Sequence, residues 1–203
     1  MGPEYTPLPS LRSRNNSLTP AILADVDCHV PDPSYWQSDD IGNWCHEGTH
    51  GVNARIRQEH GNRPGIYLGG DVAILLNHPK TTIASIAEKV PESFRGFEYQ
   101  TYCVGQVDSW NDEPLYLWDE WSAYCNGAEC DAMRKGTLAE YLPVALAVGL
   151  TAPLDPPTAA AMKELLTRTL TRLDRQHPYF NAICVGPDGQ PYRTMLKRYG
   201  LFL

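Results

Sequence analysis

The chain is short of several things, and each shortage excludes a class of protein. Among its 203 residues there is no run of 18 apolar side chains, so no membrane-spanning helix is expected. Basic residues are in the minority, 17 Lys and Arg against 24 Asp and Glu. A net charge of −7 leaves no basic face to neutralise a phosphate backbone, which argues against a nucleic-acid partner. None of the six cysteines (Cys28, Cys45, Cys103, Cys125, Cys130, Cys184) forms a C-x-x-C pair, so neither a zinc ribbon nor a thioredoxin-type redox pair is indicated. The first residues lack the basic-then-apolar run of a signal peptide. No internal repeat or low-complexity tract interrupts the chain. What remains is 42% hydrophobic and 20% charged, a composition that folds into a core. The even cysteine count suits disulfides in an oxidising compartment. From this a secreted or extracytoplasmic protein is expected, with a Cys125–Cys130 bridge one pairing among many.

Residues 1–20 hold four prolines and read as an extended or mobile N-terminal arm. Ser38-Asp39-Asp40 signals a helix start, with the pattern running to about His60 and stopped by Gly61 to Gly65. Ile66–Leu68 and Val72–Leu76 read as strands of a hairpin around Gly69-Gly70-Asp71. Thr81 or Thr82 caps a short helix, and Tyr99–Val107 reads as a further strand. A helix opens near Asn111-Asp112-Glu113-Pro114 with Leu115, Trp118, Trp121 and Cys125 on one side. Thr137-Leu138-Ala139-Glu140 has capping-box form before an all-apolar helix. Another helix follows Pro156-Pro157, and extended segments around Pro187-Asp188-Gly189 end the chain. The class is α+β with helices outnumbering strands.

The informative motif is His46-Glu47-Gly48-Thr49-His50, an H-E-x-x-H. Histidines at i and i+4 of a helix share one face, so both imidazoles reach one Zn²⁺, and the adjacent glutamate reaches the water that the metal activates. At ~100° per residue, Ile41, Trp44, Cys45, Gly48, Val52 and Ile56 form an apolar stripe, with His46 and His50 roughly 130–170° from its centre. Asn53 and Arg57 extend the polar side. Gly48 keeps the packed side small. A match to this motif arises by chance in roughly 1% of chains of this length, and its bland alternative is a pair of solvated histidines.

A catalytic zinc needs a third protein ligand and an open position. A third histidine ten residues after His46 would fall on Ile56, and His60 lies too far round the helix. Glu120, in Asp119-Glu120-Trp121-Ser122-Ala123-Tyr124, is the leading candidate. Asp119 is the runner-up, with Glu129, Glu98 and Asp112 as further rivals.

On these residues the chain resembles the gluzincin group of zincin metallopeptidases, where a downstream helix carries Asn-Glu-x-x-Ala/Ser-Asp. Glu120 and Ala123 match that pattern. Asp119 and Tyr124 depart from it, which leaves open what orients His46. The resemblance spans about 30 residues. It implies one Zn²⁺ held by His46, His50 and Glu120, with Glu47 as general base. It also implies a zincin-like catalytic domain over 21–203, with two lobes around a cleft. In that fold a mixed sheet packs on the active-site helix, beside a mostly helical C-terminal lobe. Substrate would pair with an edge strand, here Val72–Leu76 or Tyr99–Val107. The expected activity is zinc-dependent endopeptidase action on a protein or peptide. The alternatives are an amidase acting on peptidoglycan or a small amide, and a non-catalytic, disulfide-stabilised binding module.

Overall fold

Asp40 accepts a hydrogen bond from Asn43 N (2.9 Å) and so caps the helix that organises the computed structural model, which describes residues 4–203. The strands are β1 (Glu4–Pro7), β2 (Gly65–Gly69) and β3 (Val72–Leu75). The helices are α1 (Ala21–His29), α2 (Pro33–Trp36), α3 (Ile41–Glu59), α4 (Ile83–Ala87), α5 (Phe97–Tyr99), α6 (Val107–Trp110), α7 (Tyr116–Cys130), α8 (Lys135–Thr151), α9 (Pro156–Arg172), α10 (Pro178–Val185) and α11 (Gln190–Arg198). The α+β class is observed, with helix predominant.

Helix α3 ends at His60, where Gly61 and Asn62 both take positive φ (66° and 65°). Such a left-handed exit stops a helix. The hairpin forms as its turn residues require: Gly69, Gly70 and Asp71 all sit at positive φ. Strand β1 then adds to the far side of β3, giving the order β1-β3-β2, antiparallel throughout. The sheet is therefore antiparallel rather than mixed. The N-terminal arm is extended and docked, since Leu8 is fully buried and Arg12 donates to the carbonyl of Val30. Its first three residues lie outside the described residues.

Four local expectations are corrected. Tyr99–Val107 is helical: α5 runs into a π-helical turn over Gln100–Gly105. Tyr99, Tyr102 and Cys103 are spaced i, i+3 and i+4, and all three face the core. Thr137 lies inside α8, whose chain enters through a 3₁₀ turn capped by Asp131. The C-terminal extended segments are α10 and α11, each with proline in its first turn, where a missing N–H costs nothing. No disulfide is present, and the six cysteines are free thiols. Cys125 and Cys130 are five residues apart on one helix and face different ways, and the Cys125 thiol lies 3.1 Å from Thr169 Oγ1.

Helix α3 is packed from both sides. Behind it, Val26, Cys45, Val52, Ile56, Tyr67 and Leu8 form one apolar cluster. A Cβ at Gly48 would stand 2.8 Å from Val26 Cγ1, so α1 sits close because residue 48 has no side chain. In front, α7 runs antiparallel to α3. Asn126 Nδ2 reaches Thr49 Oγ1 at one end, and Asn53 Nδ2 reaches Ser122 Oγ further along. A Cβ at Gly127 would stand 3.2 Å from the Gly42 carbonyl and 3.4 Å from His46 Cβ. The larger core joins α7 to α8, α9, α10 and α11. Within it the buried indoles of Trp118 and Trp121 donate to Ala145 O (2.9 Å) and Thr169 Oγ1 (2.8 Å), as buried Trp N–H groups require. Among the described residues no helix is long and apolar enough to cross a membrane.

Candidate metal centre

His46 and His50 project from α3 one turn apart, and Glu120 faces them from α7. The two Nε2 atoms are 3.3 Å apart, and Glu120 Oε2 is 3.4 Å from each. A tetrahedron whose corners stand ~2.0–2.1 Å from its centre, the usual Zn–N and Zn–O length, has edges of ~3.3–3.4 Å. Three ligand atoms therefore stand at the spacing of three corners of such a site. The donor set also fits a dication. Two imidazole nitrogens and a carboxylate oxygen converge, with no ammonium or guanidinium among them.

Supporting side chains fix each ligand. His50 Nδ1 donates to Asp119 Oδ1 (2.8 Å), which leaves Nε2 to face His46 and Glu120 and to coordinate a metal once its proton is displaced. Asn53 donates to the same oxygen (2.7 Å), and Arg57 donates to Oδ2. Asp119, the runner-up ligand, is thus the anchor of a ligand. Glu120 receives Tyr102 OH on Oε2 (3.0 Å) and Tyr116 OH on Oε1 (2.6 Å). His46 has no such partner: its Nδ1 is buried without a hydrogen bond, and Tyr124 packs edge-on at 4.7 Å between ring centroids. The residue that departs from the gluzincin pattern therefore supports His46 by packing. The other rivals are engaged elsewhere: Glu129 with Arg172, Glu98 with Tyr124, and Asp112 on the exposed surface.

Electrostatics follow from burial and charge. Burial alone would lower the pKa of His50, but Asp119 and Glu120 outweigh it and hold it well above the usual imidazole value. Burial would raise Glu120, but the hydrogen bonds and charges of His46 and His50 bring it below the usual range. Asp119 is lowered against its burial by His50 and Arg57. Burial, with neighbouring carboxylates, pushes the phenols of Tyr102, Tyr116 and Tyr124 up, so all three stay donors.

Behind them, Tyr102 OH and Tyr124 OH are 2.9 Å apart, and Tyr124 OH is 2.8 Å from Glu98 Oε2. Tyr124 donates to Glu98, whose pKa is pushed up to about 7, chiefly by burial.

A cavity of about 710 Å³ opens beside the ligands. Glu47 is half-buried and lines it, together with Trp36, Trp110, Arg57, Ile66, Tyr102 and Tyr116. The expected substrate-pairing strands do not serve that role. Strand β3 is central in the sheet, and Tyr99–Val107 is helical. The strand nearest the cavity is β2, through Gly65 and Ile66. Its edge is engaged, with Tyr67 N donating to Asn53 Oδ1 (2.7 Å) and the Leu68 carbonyl held by Arg168.

A second group of ligand-type atoms, Asp25, Cys28 and His29, lies on α1, and its atoms are already engaged. Arg14, Tyr67 OH and Gly70 N converge on the Asp25 carboxylate, and His29 Nε2 meets Leu8 O (3.0 Å) and Asp71 Oδ1 (2.9 Å). It ties the arm, α1 and the hairpin together.

The structure brings the expected ligands His46, His50 and Glu120 together as a candidate group beside Glu47; the contacts of Tyr102, Tyr116 and Asp119 with them were not anticipated. The signal for Tyr116 was its place one turn before Glu120. Tyr102 carried none, because its segment read as a strand. No family model, no curated protein and no solved structure matches the chain.

Proposed function

We propose that the protein is a zinc-dependent hydrolase of peptide bonds, a zincin-like endopeptidase with His46, His50 and Glu120 as metal ligands and Glu47 as general base. The observation that carries this reading is the triangle of ligand atoms at tetrahedral spacing beside the cavity that Glu47 lines. Zinc, when bound, supplies a Lewis acid that activates water near neutral pH and polarises a carbonyl. Glu47 takes the proton of the attacking water and returns it to the leaving amine, so one carboxylate serves as base and then acid. Asp119 keeps His50 in the Nε2-coordinating tautomer, and Tyr102 and Tyr116 hold Glu120 in register. The open cavity favours catalysis over a purely structural metal, whose site is closed by a fourth protein ligand. The engaged edge of β2 favours a second substrate class, short peptides or small amides such as peptidoglycan stems, because a long extended strand has no free ladder to join.

The test measures zinc content and hydrolysis of casein and a peptide library for the wild type, His46→Ala and Glu47→Gln. His46→Ala should lose zinc. Glu47→Gln should keep zinc and lose activity by about 10²–10⁴-fold. Wild-type activity in Glu47→Gln overturns the mechanism.

A further inference from the structure

Arg57 is the one arginine or lysine among the residues lining the cavity. It lies two helical turns after His50 and folds back, so that Nη1 donates to Asp119 Oδ2, while Oδ1 of the same carboxylate holds His50. The guanidinium therefore stands one carboxyl group away from a ligand imidazole.

Its side chain is 37% exposed, and among the described residues Asp119 is its hydrogen-bonding partner. A guanidinium has five N–H donors in a planar fork, and Asp119 takes one of them, so donors remain on a residue that lines the cavity. Asp119 is a shared counter-ion, since it also takes His50 and Asn53. The other charged groups on the wall are acidic or, as with His78, already face a carboxylate: His78 Nε2 lies 3.4 Å from Glu113. Apart from the metal, when bound, and the histidines, Arg57 is the one positive charge that this wall offers a substrate anion.

From this we infer that Arg57 forms a carboxylate-binding subsite, so that the substrate is a peptide bearing a carboxylate near the scissile bond. The inference rests on the proposed hydrolase reading and supplies the substrate class for the same site. The carboxylate is either a free C-terminus or an Asp or Glu side chain, and the same fork recognises both.

Matched peptide pairs test it. One pair differs as C-terminal acid against amide. The other, amidated throughout, differs as Glu against Gln beside the scissile bond. Affinity is measured on zinc-loaded Glu47→Gln protein, where turnover is blocked, and kcat/KM on protein with Glu47 intact. In at least one pair the carboxylate member should bind about tenfold tighter or more, as a charge-assisted bidentate contact implies. That pair identifies the source of the carboxylate.

Arg57→Gln should bring the ratio to about one, with Arg57→Lys intermediate. A merely structural role for Arg57, acting through Asp119, would weaken both members of a pair equally and leave the ratio intact. A ratio near one in both pairs with Arg57 present, or a ratio that survives Arg57→Gln, overturns the inference. If the binding ratio collapses in Arg57→Gln but no peptide is hydrolysed, the subsite stands and the hydrolase reading fails.

Discussion

Replacing Asp119 by asparagine separates an anchor from a ligand. Three donors converge on two buried oxygens: His50 Nδ1 (2.8 Å) and Asn53 Nδ2 (2.7 Å) on Oδ1, and Arg57 on Oδ2. Asparagine keeps one acceptor. Its best orientation leaves the oxygen to His50 and Asn53 and turns the amide N–H₂ toward Arg57, which is half-exposed and can move to water. The tautomer of His50 survives, and the charge that makes the imidazole a strong donor does not. Loss of such an outer partner costs about 10–100-fold in metal affinity, or ~1.4–2.7 kcal/mol.

Alanine differs in kind. It strands the His50 and Asn53 donors in a buried place, at ~1–3 kcal/mol each, and so reduces fold stability even without metal. Zinc affinity by competition with a chromophoric chelator, paired with urea unfolding in EDTA, distinguishes the two substitutions. Unchanged affinity in Asp119→Asn refutes the anchoring role. A loss beyond ~10³-fold together with a harmless Glu120→Gln would make Asp119 the ligand instead.

Two further outcomes follow from packing and protonation. Glu98 has a folded pKa of about 7 against an ordinary 4.5, so the folded state holds its proton more tightly. The associated stability is complete below pH 4.5 and is lost as pH rises to about 7. Glu98→Gln, which keeps an acceptor for Tyr124 and cannot ionise, should match the wild type at pH 4 and exceed it by ~1–3 kcal/mol at pH 8 in urea unfolding. Gly48→Ala should cost ~1–3 kcal/mol from the clash with Val26, less up to ~1 kcal/mol recovered in helix propensity. Its zinc affinity should be unchanged, because residue 48 faces α1.

The parts of the fold that were legible in the sequence are those where one local signal had no competitor. Asp40, the stripe from Ile41 to Ile56 and the Gly61-Asn62 exit defined α3, and three turn residues at positive φ defined the hairpin. Glu120 could be singled out as a candidate because its segment reads as a helix with a small residue three positions on. Tyr99–Val107 failed because aromatic and β-branched residues favour strands on propensity, while the buried set Tyr99, Tyr102 and Cys103 follows the helical period that tertiary packing selects. The C-terminal helices were missed because Pro187-Asp188-Gly189 read as a turn between extended segments, while Pro178 and Pro191, which sit in the first turns of α10 and α11, were not weighed as helix starts. The anchoring role of Asp119 depends on Asn53 and Arg57, 62–66 residues away in sequence, and no local pattern encodes that pairing.

The glycine seam between α3 and α7 makes the centre a gauge. Gly42 and Gly127 let the two backbones approach until a Cβ would meet a carbonyl at 3.2 Å. Two ligands ride on one helix and the third on the other, so the width of this seam becomes an edge of the ligand triangle. A core tolerates a shift of half an ångström by small repacking, whereas a metal–ligand bond tolerates about 0.2 Å. At this seam the chemistry is stricter than the fold. On the proposed metal-site reading, mutations that widen it should leave a protein that still folds and holds zinc less tightly.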